Sequence, residues 1–182
     1  YETFLNYLKE YLSTPGSRDS AKKNFTVKGR VYRGTPHLPK NYFGKVELVA
    51  YNLMSDHFHL LLHQKAKSAV ESLLRSLCTR YSMYFNKKYQ RSGALFEGPY
   101  KSVQIKESPL ILYLTHYFHN SGDRTDNYSS YPEYTNSRKT PWVNPTTVQT
   151  FFEEIKSEFP KKLDTYKDFV ENYEFNQKED EL

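Results

Sequence analysis

The stretch KVELVAYNLMSDHFHLLLHQ, residues 45–64, constrains the fold most. Two short apolar runs, roughly Val46–Met54 and Phe58–Gln64, flank Ser55–Asp56, a pair suited to a tight turn. Runs of this kind read as neighbouring strands of one antiparallel hairpin. A hairpin this apolar must be covered, so other elements have to lie on it.

The flanking sequence offers helices as the cover. YETFLNYLKEYL repeats apolar residues at Phe4, Leu5, Leu8 and Leu12, and Tyr1 stands at the start of that helix. Pro15 and Gly16 end it. SAVESLLRSLCTRYSMYFNKKYQ is the clearest helix, with Val70, Leu73, Leu74, Leu77, Tyr81, Tyr84 and Phe85 on one face. Ser68 is its expected N-cap, Glu71 completes a capping box, and Gly93 stops it. A third helix spans about Pro109–Asn120, with Pro109 at its first position and Leu110, Tyr113, Leu114 and Tyr117 on one stripe. Residues 146–174 carry one or two acidic helices, with Val148, Phe151, Phe152 and Ile155, then Tyr166, Phe169, Val170 and Tyr173. Between these, the basic segment 18–44, with Pro36 and Pro39, reads as a long loop or irregular hairpin. Tyr100–Ile105 reads as a short strand, 122–146 as loop with at most one short strand, and the charged end NQKEDEL as frayed. Strands beside long helices give an α+β class: a central antiparallel sheet with helices packed on it.

Composition decides what fills the core and what the surface meets. Tyrosine and phenylalanine total 29, against only 37% apolar residues, so the core is aromatic. A single cysteine, Cys78, excludes an internal disulfide framework and fits a reducing, cytoplasmic setting. No signal peptide opens the chain, and no run of 18 apolar residues could span a membrane. Charge is uneven: residues 1–106 hold 18 Lys+Arg against 7 Asp+Glu, whereas residues 107–182 hold 8 against 14. The basic part, interleaved with tyrosines, reads as a polyanion surface, most simply nucleic acid, or as a solvated lysine-rich face.

Six histidines are present, and three of them, His57, His59 and His63, sit on the second strand. Residues two apart share a strand face. His57, His59, Leu61 and His63 therefore share one face, and Phe58, Leu60 and Leu62 the other, the better core face. Adjacent imidazoles can converge on one divalent ion, or they can be two surface histidines beside a turn. His63 lies about 13 Å beyond His59 at ~3.3 Å per residue and cannot join the same ion. On the third helix, Tyr113 and Tyr117 are four apart, with Asn120 and Ser121 one turn beyond Tyr117. Tyrosines so placed can be reactive or can be ordinary packing residues.

Taken together these blocks resemble the HUH single-strand transposases, most closely the REP-associated tyrosine transposase branch. AYNLMSDHFHLLLHQ resembles that family's histidine–hydrophobe–histidine hairpin, with Phe58 as the hydrophobe. LLRSLCTRYSMYFNKKYQRSGALFEGPYKSVQI resembles its basic helix and glycine-aromatic segment, YLTHYFHNSGDR its tyrosine helix, and YSSYPEY the segment that follows. The resemblance covers about residues 1–135 as an HUH domain, with 136–182 as a helical extension of the same domain, and implies a ferredoxin-like fold. The family has a strand before the first helix, whereas this sequence begins on the helix, so either the sheet lacks that strand or the sequence is trimmed before it. The tyrosine-helix motif, Tyr-Ile-His-x-Asn-Pro-x-Arg, places Tyr117 as nucleophile, His119 on the histidine and Arg124 on the arginine; the asparagine and proline positions hold Ser121 and Gly122. His57 and His59 take the metal-binding positions, with Ser121, or Asn120 beside it, as the third polar contact.

The resemblance implies cleavage and rejoining of single-stranded DNA beside hairpins, through a 5′-phosphotyrosine and with Mg²⁺ or Mn²⁺, by a monomer or homodimer. The alternatives are a non-catalytic hairpin- or single-strand-binding descendant and a water-using nuclease. Arg75, Arg80, Lys87, Lys88, Arg91 and Lys101 are the expected DNA-backbone contacts. Five phosphates of a single strand neutralised by such cations would give a salt slope near about −3.5.

Overall fold

The computed structural model describes residues 1–16, 22–34, 40–106, 108–121 and 128–175. Pro36, Pro39, the motif positions Gly122 and Arg124 and the NQKEDEL end lie outside the described residues. The elements in order are α1 (Glu2–Leu12), β1 (Lys23–Val27), β2 (Arg30–Gly34), β3 (Val46–Leu53), β4 (Phe58–Gln64), α2 (Ala69–Lys88), α3 (Ser108–Asn120), α4 (Tyr131–Tyr134), α5 (Thr146–Ile155), a 3₁₀ turn (Lys156–Glu158) and α6 (Tyr166–Asn172). The class is α+β, and the strands come as two separate pairs, β1–β2 and β3–β4. The chain divides into two units: Glu2–Val46 with Gln64–Leu95, and Tyr1 with Glu47–His63 and Phe96–Leu182.

The first unit is built on α1 against α2. Their facing stripes bury Phe4, Leu8, Tyr11 and Leu12 with Leu73, Leu74 and Leu77, as the helical spacing predicts. Aromatic edges extend the contact: Phe4 meets Tyr81 at 5.2 Å between centroids and Tyr7 meets Tyr84 at 6.4 Å. Tyr42 ties the following segment to α2 by donating to the Ser72 carbonyl at 2.7 Å. Cys78 is half-buried on α2, and burial pushes its thiol above the usual range. The start of α2 departs from the expected capping box. Ser68 has φ 56°, a left-handed conformation, and its side chain caps nothing. The first-turn amide of Val70 instead donates to the Gln64 side-chain oxygen at 3.1 Å, so the cap comes from the end of β4.

The segment expected as a long loop or irregular hairpin holds a regular hairpin. β1 and β2 pair from Lys23↔Gly34 to Val27↔Arg30. Lys28 (φ 48°) and Gly29 (φ 75°) form the two-residue turn, whose positive φ at both positions matches the twist of the strands. All residues of β1 are exposed, as are all of β2 except Gly34. Tyr100–Ile105, by contrast, is irregular rather than a strand. Its Tyr100 and Val103 are exposed, and no strand among the described residues pairs with it.

In the second unit, β3 is buried along nearly its whole length. Its free edge is closed by two later segments, with bridges Asn52↔Ser129 and Leu48↔Val143. These isolated bridges stand where the sequence reading of 122–146 allows at most one short strand, and no strand forms there among the described residues. The core joins Val49, Ala50 and Leu61 to Leu112 and Phe118 of α3, Tyr131 and Tyr134 of α4, Val148 and Phe152 of α5, and Phe169 and Val170 of α6. The two acidic C-terminal helices therefore share one core with β3, β4 and α3. Beside it, Arg138 forks onto the buried Glu133 at 2.6 and 2.7 Å and also donates to the Tyr51 hydroxyl at 2.9 Å and the Ser129 carbonyl at 2.6 Å.

Two faces differ from the sequence reading. On β4, Leu61 is buried in the core and His59 lies against it, so the imidazole face, not the Phe58–Leu60–Leu62 face, meets this unit's core. The cause is α3, which lays Phe118 on that side. On α3 the buried residues are Leu112, Thr115, His116, Phe118 and His119, and the Leu110–Tyr113–Leu114–Tyr117 stripe is only partly covered. Burying imidazoles is tolerable because both are hydrogen-bonded. His116 Nε2 contacts the Tyr173 carbonyl at 2.9 Å; His119 Nδ1 contacts the Tyr166 hydroxyl at 2.9 Å and its Nε2 contacts Ser130 Oγ at 2.8 Å.

Candidate active site

The tight turn after β3 sets the first half of the site. The Met54 amide donates to the His57 carbonyl at 2.9 Å, which closes the turn and starts β4 at Phe58. His57 and His59 then emerge on one side, with ring centroids 4.9 Å apart and nearly perpendicular at 83°. His63 stands apart, exposed and paired with Glu47 at 3.2 Å.

The second half comes from α3. Because its buried face runs through Leu112, Thr115, His116 and His119, Tyr117 is left 45% exposed at the edge of the core. Its ring meets His59 at 5.6 Å between centroids, at 73°. Phe118 stacks on the same imidazole at 5.0 Å and 19°. The structure thus brings His57, His59 and Tyr117 into one row across 60 residues of chain. Tyr113, a turn earlier, instead packs on Phe175 at 5.1 Å.

Three further residues hold this row in place, and none stood out in the sequence. Asp56 accepts from His57 Nδ1 at 2.7 Å, which fixes that ring and leaves Nε2 for another partner. That bond to His57, chiefly, holds the Asp56 carboxyl below the usual carboxylate range. Asn52, on β3, donates its side-chain amide to the carbonyls of Phe118 and Ser121, each at 2.8 Å. These are carbonyls at the C-terminal end of α3, where the helix leaves acceptors unpaired, so Asn52 pins the tyrosine helix to the histidine hairpin. Ser130 Oγ donates to the Tyr51 carbonyl at 3.2 Å and accepts from the Tyr51 amide at 2.9 Å. With that proton spent, His119 holds its own proton on Nε2 and accepts from Tyr166 at Nδ1. Burial, then the His116 charge, pushes His119 down to about 3, so it is a neutral structural link between α3, β3 and α6.

The electrostatics suit metal ligation by the pair. Burial first, and the neighbouring His57 second, lower the His59 pKa, which favours the neutral imidazole that a cation requires. His59 Nε2 is buried and has no hydrogen-bond partner among the described residues. A buried ring nitrogen without a partner is costly unless something binds there, and a divalent ion fits that need. Among the described residues no cluster of three His, Cys, Asp or Glu that could hold a metal ion exists. Ser121 is half-buried with its carbonyl engaged by Asn52, and Asn120 is exposed at the end of α3.

The expected DNA contacts differ in how far they are engaged. Arg80 is committed within its own unit, at 2.6 Å from Glu10 and 3.8 Å above the Tyr7 ring. Arg75 forms an exposed pair with Glu71 at 2.6 Å. Lys87 and Lys101 are exposed, Lys88 lies 5.7 Å from the Tyr84 ring centre, and Arg91 lies 5.7 Å from that of Phe85.

Residues 39–121 match the family model described as Transposase IS200 like, a stretch holding β3, β4, α2, α3 and the whole His57–His59–Tyr117 row. That stretch is similar to the IS200-like transposases, which supports a relationship to their family. No curated protein and no solved structure matches it. The match supports a transposase-type role with DNA binding in general, in a family that generally uses divalent metal. No helix among the described residues is long and apolar enough to cross a membrane.

Proposed function

We propose that this IS200-like protein cleaves and rejoins single-stranded DNA beside hairpins, with Tyr117 as nucleophile. The single observation that carries the reading is the Tyr117 ring lying 5.6 Å from His59, which in turn lies 4.9 Å from His57. In the cleavage step the Tyr117 oxygen bonds to a backbone phosphorus and loses its proton. The bond from that phosphorus to the 3′ oxygen breaks, leaving a 5′-phosphotyrosine and a free 3′-OH. Attack by another 3′-OH reverses the step and joins strands, returning the tyrosine. A neutral phenol is a weak nucleophile and needs a placed partner. His57 and His59, with Asn120 or Ser121 as third contact, would hold Mg²⁺ or Mn²⁺, and such an ion would supply polarisation of the phosphate and stabilisation of charge on the leaving oxygen. Asp56 orients His57 for this, and Asn52 sets the reach of Tyr117. Residues 1–135 would form the catalytic domain and 136–182 its helical extension.

The test is a labelled single strand carrying a hairpin, incubated with Mg²⁺ or Mn²⁺. A covalent protein–DNA adduct is expected, absent in Tyr117→Phe and in His57→Ala. An adduct in Tyr117→Phe would falsify the nucleophile assignment, with Tyr113 next in line. Salt-sensitive binding with no adduct under any metal marks the alternative, a non-catalytic hairpin-binding descendant.

A further inference from the structure

The β1–β2 ribbon lies outside the 39–121 stretch that matches the transposase family. Its burial is unusual: Phe25 is 38% exposed, Tyr32 52%, Val27 56% and Val31 66%. An isolated two-stranded hairpin is at best marginally stable in water, so aromatic side chains held on one are poorly explained by folding alone.

The register sorts the side chains. Directly paired residues share a face, and alternate pairs share the same one. Lys23, Phe25 with its partner Tyr32, and Val27 with its partner Arg30 therefore lie on one face. Asn24, Arg33, Thr26 and Val31 lie on the other. The first face is a pair of rings flanked along the ribbon by a cation at each end. The Phe25 ring leans over the bare backbone of Gly34, where an added Cβ would sit 3.5 Å from Cε2. Residues 22–34 contain five Lys or Arg and no Asp or Glu.

We infer that this face is a single-stranded DNA arm, in which Phe25 and Tyr32 stack on bases and Lys23 and Arg30 meet the flanking phosphates. The choice of DNA rests on the proposed function above; the choice of a single strand does not. An apolar partner would have to cover cations that have no counter-charge in the ribbon, whereas a nucleic-acid backbone supplies it. Phe25 and Tyr32 are direct cross-strand partners, whose Cβ atoms lie about 4.5–5.5 Å apart. That is wider than the ~3.4 Å rise per base of a stacked strand, so a strand free to unstack is the one that can offer its bases to both rings.

The experiment uses the full chain and a fluorescein-labelled oligothymidylate of about 20 nucleotides, with anisotropy read across a salt series. Phe25→Leu/Tyr32→Leu keeps bulk but removes the ring faces, and Kd is expected to rise about tenfold or more with the salt slope unchanged. Lys23→Gln/Arg30→Gln is expected to flatten the slope by about 1.4, two phosphates at ~0.7 each. Phe25→Trp/Tyr32→Trp, which keeps the ring faces, should bind at least as tightly as the parent; this guards against a ribbon that merely unravels. A duplex of about 20 base pairs should be insensitive to the leucine pair. Parent-like binding by the leucine pair, equal loss on duplex, or no binding by the parent chain each overturns the arm. An adduct that forms without dependence on the ribbon leaves the Tyr117 reading standing and removes only the arm. Ring-dependent binding with no adduct does the reverse.

Discussion

At the residue scale the site turns on how two imidazoles are held. His57 is oriented by a carboxylate next to it in sequence, and His59 by two rings from α3. Partners that orient a metal-bound histidine typically change metal affinity 10- to 100-fold when removed. Asp56→Ala is therefore expected to weaken Mn²⁺ binding, followed by calorimetry, by at least about tenfold, while the far-UV spectrum stays unchanged. Unchanged affinity would show that the 2.7 Å bond to His57 is incidental. Arg80 gives the contrasting case of a cation spent on structure. Its pair with Glu10 and its place over Tyr7 are partly exposed interactions of modest size. Arg80→Ala should lower unfolding stability by about 1 kcal/mol in a urea titration. Lys87→Ala, on the same helix, should leave stability alone and reduce salt-sensitive DNA binding instead.

At the element scale, α3 is placed by its C-terminal end. Asn52→Leu strands the carbonyls of Phe118 and Ser121 without their donor, and leaving buried polar groups unsatisfied costs about 1–3 kcal/mol. The expected result is a thermal midpoint several degrees lower, together with slower adduct formation even below that midpoint, because Tyr117 rides on the released end. A stability loss with an unchanged adduct rate would mean that α3 is located by its core face alone. The same element shows where sequence reading runs out. The histidine hairpin and Tyr117 were legible because their residue types stand at fixed local spacings in family order. Asn52 was not, since inside a strand it looks like an ordinary polar residue and its acceptors lie 66 and 69 positions away. Nor was the buried side of α3: its stripe of Leu110, Tyr113, Leu114 and Tyr117 is more apolar than the His116–His119 side that is in fact covered. Partners distant in sequence, Tyr166 on α6, Tyr173 just past its end and Ser130, make those imidazoles acceptable inside. Alternation in β4 likewise defines two faces without saying which one α3 meets.

At the scale of the whole molecule, the aromatic core foreseen from composition makes the protein sensitive to alkali. Burial, with the Glu133 charge adding to it, pushes Tyr51 up to about 12. Burial also raises Tyr134 and Tyr166 well above the ordinary phenol value. These folded-state values lie above the unfolded ~10, so the buried neutral phenols contribute fully below pH 10. For Tyr51 that contribution is lost as pH rises from about 10 through about 12, at up to about 1.4 kcal/mol per pH unit. Absorbance at the tyrosinate band and helical ellipticity should therefore change together above pH 10, with some of the 17 tyrosines ionising only as the fold opens. Complete ionisation with ellipticity intact would contradict this. The α+β class and the helix positions followed from periodicity. The exposed β1–β2 ribbon did not, because a basic segment bounded by prolines carries the composition of a loop whether or not it pairs with itself.

Cys78 offers a way to watch one part of this molecule move. It is the chain's single thiol, half-buried on α2, and burial keeps it protonated. A thiol in that state reacts slowly with an aromatic disulfide until its surroundings loosen. The rate of modification is thus a built-in clock for local opening of the long helix, readable by absorbance in the unmutated protein and comparable with and without bound DNA.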